Sequence, residues 1–279
     1  MKSPREVAVS LSWNYGGRIA DAAGFYIVGI ILAQRLGVQE YGRYALVLSG
    51  MQMVVAISAC GLEVALNKFI PGLAAGERGL AIRFLVRRVL VLRCVLAIIT
   101  SVAVYFVLGL FTSLDDRVVG LLPFSLFALG RSVVPLLAMS MVAQLRTKVP
   151  SIIMTVVRAL DVALVAFLSW NNCAFISFIV ALACTSILHA AALSIFVRPS
   201  LVGPGEVISI RPILSFGGIF AINILVDFVL SRYGDVVLLG LFGNDKNQVG
   251  LYEVGAGLVY AAGLVLTTGM AGGNLALFS

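Results

Sequence analysis

Charge is what this chain has least of. Only 12% of its 279 residues are charged, about half the share in an average soluble domain. With 61% hydrophobic residues and a mean hydropathy of +1.06, that scarcity excludes a soluble globular protein. Histidine occurs once, at His189, and the four cysteines (Cys60, Cys94, Cys173 and Cys184) form no C-x-x-C pair. Metal-ligand spacing is therefore absent, and the cysteines read as small packing residues in or beside apolar spans. No loop long enough to hold a site carries a nucleophile–base set, so neither enzymatic activity nor a cofactor is expected. The polar segment Met1–Ser10 holds Lys2 and Arg5 but lacks a small-residue cleavage site after a short apolar core, so no cleaved signal peptide is expected.

What the chain has instead is long apolar runs. A bilayer core takes about 20 apolar residues as a helix, and many long runs argue for helices rather than a barrel. The runs predict an all-α integral membrane protein with eight spans, near 11–36, 44–66, 84–111, 118–144, 149–170, 173–197, 213–242 and 249–275. Asn171 and Asn172 make a tight polar turn between the fifth and sixth. With the N-terminus in the cytoplasm, eleven basic residues fall in cytoplasmic segments and four in outer loops. That bias orients the chain N-in. It also accounts for the net charge of +7 without nucleic acid. The basic segment Arg78–Arg88 reads as topological, the alternative being attraction of anionic headgroups or cargo at the inner face.

Five basic residues lie within spans: Arg18, Arg93, Arg131, Arg158 and Arg232. Arg93 is expected near the inner leaflet, where it can snorkel. A charge at the centre of a membrane helix costs about 2.5–3.5 kcal/mol on insertion scales, so the other four mark a polar path or cavity. Three of them open Arg-x-x-Asp pairs: Arg18/Asp21, Arg158/Asp161 and Arg232/Asp235. Residues at i and i+3 share a helix face and can neutralise each other, and that pairing alone is the structural alternative. Arg131 has no carboxylate within a turn and sits between Pro123 and Pro135, which can kink the fourth span around it. Asp21, Asp161, Asp227, Asp235 and Glu253 are the candidate ion or proton sites. Asp227 is singled out as protonatable because no basic residue lies within a turn of it. His189, near a helix end, reads as a packing or interfacial residue. Gly16, Gly17, Gly24, Gly29, Gly217, Gly218, Gly255, Gly257 and Gly263 read mainly as close-packing positions.

A weak repeat runs through the chain. Tyr15-Gly16-Gly17 opens the first span and Phe216-Gly217-Gly218 the seventh, offset by 201 residues. Gly42-Arg43-Tyr44 and Gly250-Leu251-Tyr252 then open the spans that follow, offset by 208. An even number of spans separates the copies, so they share orientation, as in a parallel repeat about the membrane normal. The expected organisation is a six-helix lobe over 1–197, a Pro- and Gly-rich cytoplasmic linker over 198–212, and two helices of a second lobe over 213–279. A six-span repeat predicts twelve spans or more, and the chain ends at Leu277-Phe278-Ser279. The expectation is therefore the N-terminal part of a longer transporter, or the product of a truncated gene.

At particular residues the chain resembles the polysaccharide (O-antigen-type) flippase family. These are the opening Gly16-Gly17-Arg18, then Leu32-Ala33-Gln34-Arg35-Leu36-Gly37 running into Glu40-Tyr41-Gly42-Arg43-Tyr44. Gly61-Leu62-Glu63-Val64-Ala65-Leu66 and Phe69-Ile70-Pro71 follow, and later Asp235-Val236-Val237-Leu238-Leu239-Gly240 and Val249-Gly250-Leu251-Tyr252. The wider group includes lipid II flippases and multidrug and toxic compound extrusion transporters. The resemblance implies two six-helix lobes around a central cavity in the inner membrane. It implies a lipid-linked oligosaccharide carried from the inner to the outer leaflet by alternating access, with ion or proton coupling. Polysaccharide polymerase and glycosyltransferases are the implied partners.

Such a cargo carries phosphate or pyrophosphate. Arginine suits it because its planar fork grips phosphate oxygens with two parallel hydrogen bonds and stays charged. Arg18, Arg131, Arg158 and Arg232 are the expected cavity cations. The rival readings are an exporter of amphipathic cations, which would carry carboxylates in excess, and a non-transporting membrane scaffold for glycan enzymes, which would tolerate neutralised charges.

Overall fold

The computed structural model describes residues 4–76, 78–111, 120–144, 146–197, 206, 208–242, 246–257 and 259. Lys2, Arg117, Arg198, Gly263 and most of the 198–212 connection lie outside the described residues, as does most of the eighth predicted span.

No strand occurs among the described residues, which follows from where such a sequence lives. Hydrocarbon offers no partners for backbone N–H and C=O groups, so each segment must satisfy its own by helix formation. The helices are α1 (Pro4–Ala59), α2 (Leu62–Ala75), α3 (Gly79–Phe111), α4 (Leu121–Val142), α5 (Lys148–Trp170), α6 (Phe175–Val197), α7 (Arg211–Val229) and α8 (Arg232–Phe242). Residues 246–257 are also helical. Among the described residues six helices are long and apolar enough to cross a membrane: Ser12–Ala59, Gly79–Gly109, Leu121–Val142, Lys148–Trp170, Phe175–Val197 and Arg211–Val229.

Three boundaries differ from the sequence reading. The first predicted span ends where the sequence puts it, at the Gly37 break, but the next helix starts straight after it, so residues 38–43, expected as a loop, are helical. Ser12–Ala59 has 48 residues, about 72 Å of helix against a core of about 30 Å. Gly37 supplies the break this length requires, at φ 73° and ψ 170°, a region open essentially to glycine alone. The second span ends at Ala59 rather than 66, because Cys60 (φ 44°) and Gly61 (φ 64°) are left-handed and α2 starts afresh. The seventh span, read as 213–242, is broken after Val229. Ser231 causes that break: its hydroxyl accepts the Tyr233 N–H at 3.3 Å, as an N-cap does, and starts α8. The Asn171-Asn172 turn is where the sequence puts it, with Asn172 at φ 54° and the Asn171 amide donating to the Phe167 carbonyl at 2.8 Å.

α4 packs most extensively on α6, and α1 on α5. Buried apolar residues form one cluster around Leu32, Val47, Phe124 and Phe178 and another around Leu66, Leu85, Leu136 and Leu193. Large apolar side chains such as Ile99, Phe167, Trp170 and Ile219 point outward, as lipid-facing residues must. α7 lies against α2 and α1, and α8 against α1.

The two Gly-x-Tyr motifs meet each other. A methyl group built on Gly42 would sit 3.1 Å from the Gly250 nitrogen and against the Lys246 carbonyl. One built on Gly250 would sit 3.2 Å from the Gly42 nitrogen and against the Val38 carbonyl. The contact is reciprocal, and each glycine meets the backbone one helical turn before the other. Gly17, Gly24 and Gly217 also make close approaches, whereas Gly16, Gly218 and Gly255 face open space.

Gly250→Leu is therefore expected to destabilise the detergent-solubilised protein by about 1–3 kcal/mol, the cost of overpacking. Gly218→Leu should stay within about 0.5 kcal/mol. Thermal unfolding of the two variants checks this, and equal losses would contradict the backbone contact.

Candidate functional site

Four elements converge on one internal void. α1 contributes Asp21, Phe25 and Tyr44; α4 contributes Phe127 and Arg131; α5 contributes Met154, Arg158 and Asp161; α6 contributes Leu182, Thr185, Ser186 and His189. The volume open to water is about 30 Å³, enough for roughly two water molecules. No residue of α7 or α8 lines it. Among the described residues the void is lined by α1, α4, α5 and α6.

Arg158 organises the void. Its Nε and Nη2 donate to Asp21 Oδ1 at 2.8 and 2.5 Å, and its Nη1 donates to Asp161 Oδ2 at 3.0 Å. Thr185 Oγ1 donates to the other Asp161 oxygen at 2.5 Å. One guanidinium therefore ties α5 to α1, and one carboxylate ties α5 to α6. The stem of Arg158 crosses α1 at Gly24, where a methyl group would lie 2.7 Å from Arg158 Cδ. A larger residue there would block the path to Asp21.

Both carboxylates of the void are thereby committed to Arg158. Arg131 lines the same void and makes no hydrogen bond or ion pair among the described residues. Pro135 stands one turn further along α4 and has no N–H to give the Arg131 carbonyl. Pro123 falls in the first turn of α4, where no partner for an N–H is needed, so it does not act as a kink.

The remaining predicted residues are dispersed. Arg18 is exposed and does not line the void. Its expected pairing with Asp21 is not formed, because Asp21 is held by Arg158. Arg232 lies 3.4 Å from Glu253, which is 3% exposed, rather than pairing with Asp235. The Asp235 carboxylate accepts the Tyr252 hydroxyl instead. The Arg232 group adjoins the void through Phe25, whose ring lies 5.7 Å from the Arg158 guanidinium carbon and 5.3 Å from that of Arg232. Asp227, singled out as a protonatable interior group, is exposed and accepts from Asn223 at 3.3 Å.

Two features escape the sequence reading. Arg93 does not snorkel: it is fully buried, donating from Nε to the Ser132 carbonyl and from Nη2 to Glu63, both at 3.0 Å. Ser58 meets Ser132 at 3.2 Å, so this network holds both sides of the α1–α2 break. Its partners are 30 and 39 residues away, beyond local pattern reading. Thr185, Ser186 and His189 were more accessible to inference. They form a polar stripe at i, i+1 and i+4 on a largely apolar helix, and His189 is buried in the void rather than interfacial.

A helical, multi-pass membrane protein with a charged interior is the class these observations define. The chain belongs to the family described as polysaccharide biosynthesis protein, whose model matches residues 7–271. That family is generally one of transporters and flippases. No curated protein and no solved structure matches the chain.

Removing both cavity carboxylates should strand Arg158. Asp21→Asn with Asp161→Asn is expected to cost about 3–5 kcal/mol, the range for an uncompensated buried charge. Adding Arg158→Leu should recover most of that loss. Thermal unfolding in detergent measures both steps, and no recovery would mean the carboxylates matter for other reasons.

Proposed function

We propose that this protein moves a lipid-linked polysaccharide precursor from the inner to the outer leaflet of the inner membrane by alternating access. The observation that carries the reading is Arg131, a guanidinium that faces an internal void and has no hydrogen-bond or ion-pair partner among the described residues. Such a group in a membrane interior calls for an anion or water, and a diphosphate linker supplies the anion. In this reading residues 1–197 form a six-helix lobe, 198–212 a cytoplasmic linker, and 213–279 part of a second lobe related by the parallel repeat. The N-terminus is cytoplasmic, as the bias of basic residues supports.

A coupling logic follows from this reading. The void as it stands admits little more than water, so cargo enters only when the helices part. A phosphate that bonds Arg131 and Arg158 competes with Asp21 and Asp161 for the same guanidinium. A carboxylate so released is free to take a proton or a cation, so anion and cation binding favour each other. Arg232 and Glu253, across Phe25, offer a second pair of the same kind. Polysaccharide polymerase and glycosyltransferases are the partners this reading implies.

Export of small cations fits less well, since the void holds two arginines against two carboxylates and the unpartnered group is cationic. Arg131→Ala is expected to abolish surface glycan in cells while leaving the amount of inserted protein unchanged, whereas Arg158→Ala should abolish it together with a loss of protein, because Asp21 and Asp161 then lose their partner. Arg131→Lys should restore part of the export, because it keeps the charge without the bidentate fork. Quantified surface glycan alongside membrane-fraction protein tests this. Normal export by both alanine variants would remove the cavity role and favour a scaffold.

A further inference from the structure

A second cavity, with no part in the reading above, opens between α2 and the start of α7. It has a volume of about 350 Å³, within the range of small-molecule sites. Phe69, Leu73, Ile208 and Ile213 make its apolar floor, and Lys68 and Arg78 its cationic rim. The Lys68 ammonium rests 3.7 Å above the Phe216 ring and has no carboxylate partner among the described residues. Ring faces hold a cation without neutralising it, so its charge remains available. Arg78 pairs with Glu206 at the surface. The hydrogen bond from Arg78 to that carboxylate raises its pKa above the ordinary arginine value, so the group stays charged. Two cations against one carboxylate leave the rim positive. Exposed Arg87 and Arg88 extend the positive charge along the first turns of α3.

We propose that this cleft binds an acidic phospholipid, its phosphate on Lys68 and Arg78 and its glycerol and upper acyl chains on the apolar floor. The floor argues for an amphiphile over a free anion, and the rim for an acidic over a zwitterionic headgroup. A basic residue beside an anionic membrane surface contributes about 1 kcal/mol, so occupancy has a predictable dependence on each cation. Glu206 acts as the competitor already in place: the headgroup takes over the guanidinium that it holds.

The test uses the full chain purified in detergent, with phosphatidylglycerol or phosphatidylcholine added and retained lipid counted by native mass spectrometry. The parent protein is expected to retain phosphatidylglycerol in preference. Lys68→Gln and Arg78→Gln should each lower that retention about fivefold, and together about twenty-five-fold. Glu206→Gln should raise it, which keeps the proposal testable if the double variant folds poorly. Equal retention by parent and double variant, or equal retention of the two lipids, overturns the proposal. So does displacement of phosphatidylglycerol by inorganic phosphate, which would mark a free-anion site, or preference for an isoprenoid diphosphate, which would mark a cargo site.

Discussion

The interior of this protein depends on how one buried cation is neutralised. Arg158 sits at the meeting of α1, α5 and α6, and its guanidinium is shared between Asp21 and Asp161. Removing a charge from water costs several kcal/mol unless close partners offset it. Here the offset requires α1 to lie against α5, which Gly24 allows, and α6 to present Thr185 to the second carboxylate oxygen. Among the described residues the same arrangement takes up both carboxylates that line the void and leaves Arg131 as its open cation. Packing, neutralisation and the proposed affinity for anions are three results of one geometry.

The chain solves its length problem with single residues at defined places. Gly37 breaks the long first helix, Cys60 and Gly61 break it again, and Ser231 interrupts the seventh predicted span. Around these breaks the contacts are backbone to backbone. Gly42 meets Gly250, and Gly61 meets Gly217. Small residues gain dispersion contact where apolar burial gives no net drive, because lipid is as apolar as the protein. The Glu63–Arg93–Ser132–Ser58 network spans the α1–α2 break.

Much of this was open to reading from the residues. Apolar length marked the helices, the two asparagines marked the α5–α6 turn, and Gly-x-Tyr marked two positions that turn out to touch. Arg131 and Arg158 were identifiable as interior cations because charge in a long apolar run needs a reason. Pairing was not identifiable. Arg18 and Asp21 are one turn apart, yet they do not pair, and Arg232 turns to Glu253 rather than Asp235. Local spacing says which groups can meet; it carries no information on a competitor arriving from another helix.

Sequence alone therefore determined the helical membrane class, the presence of ionisable groups within it, and the positions of the small residues that let helices approach. Each of these is a property of a segment, set by its own hydropathy and sterics. Tertiary structure alone decided that the charged void lies among α1, α4, α5 and α6, that Asp21 answers to Arg158, and that Arg93 is sealed inside. Those outcomes depend on distances between residues far apart in the chain, where a missing methyl group at Gly24 decides whether an arginine from α5 can reach across to α1.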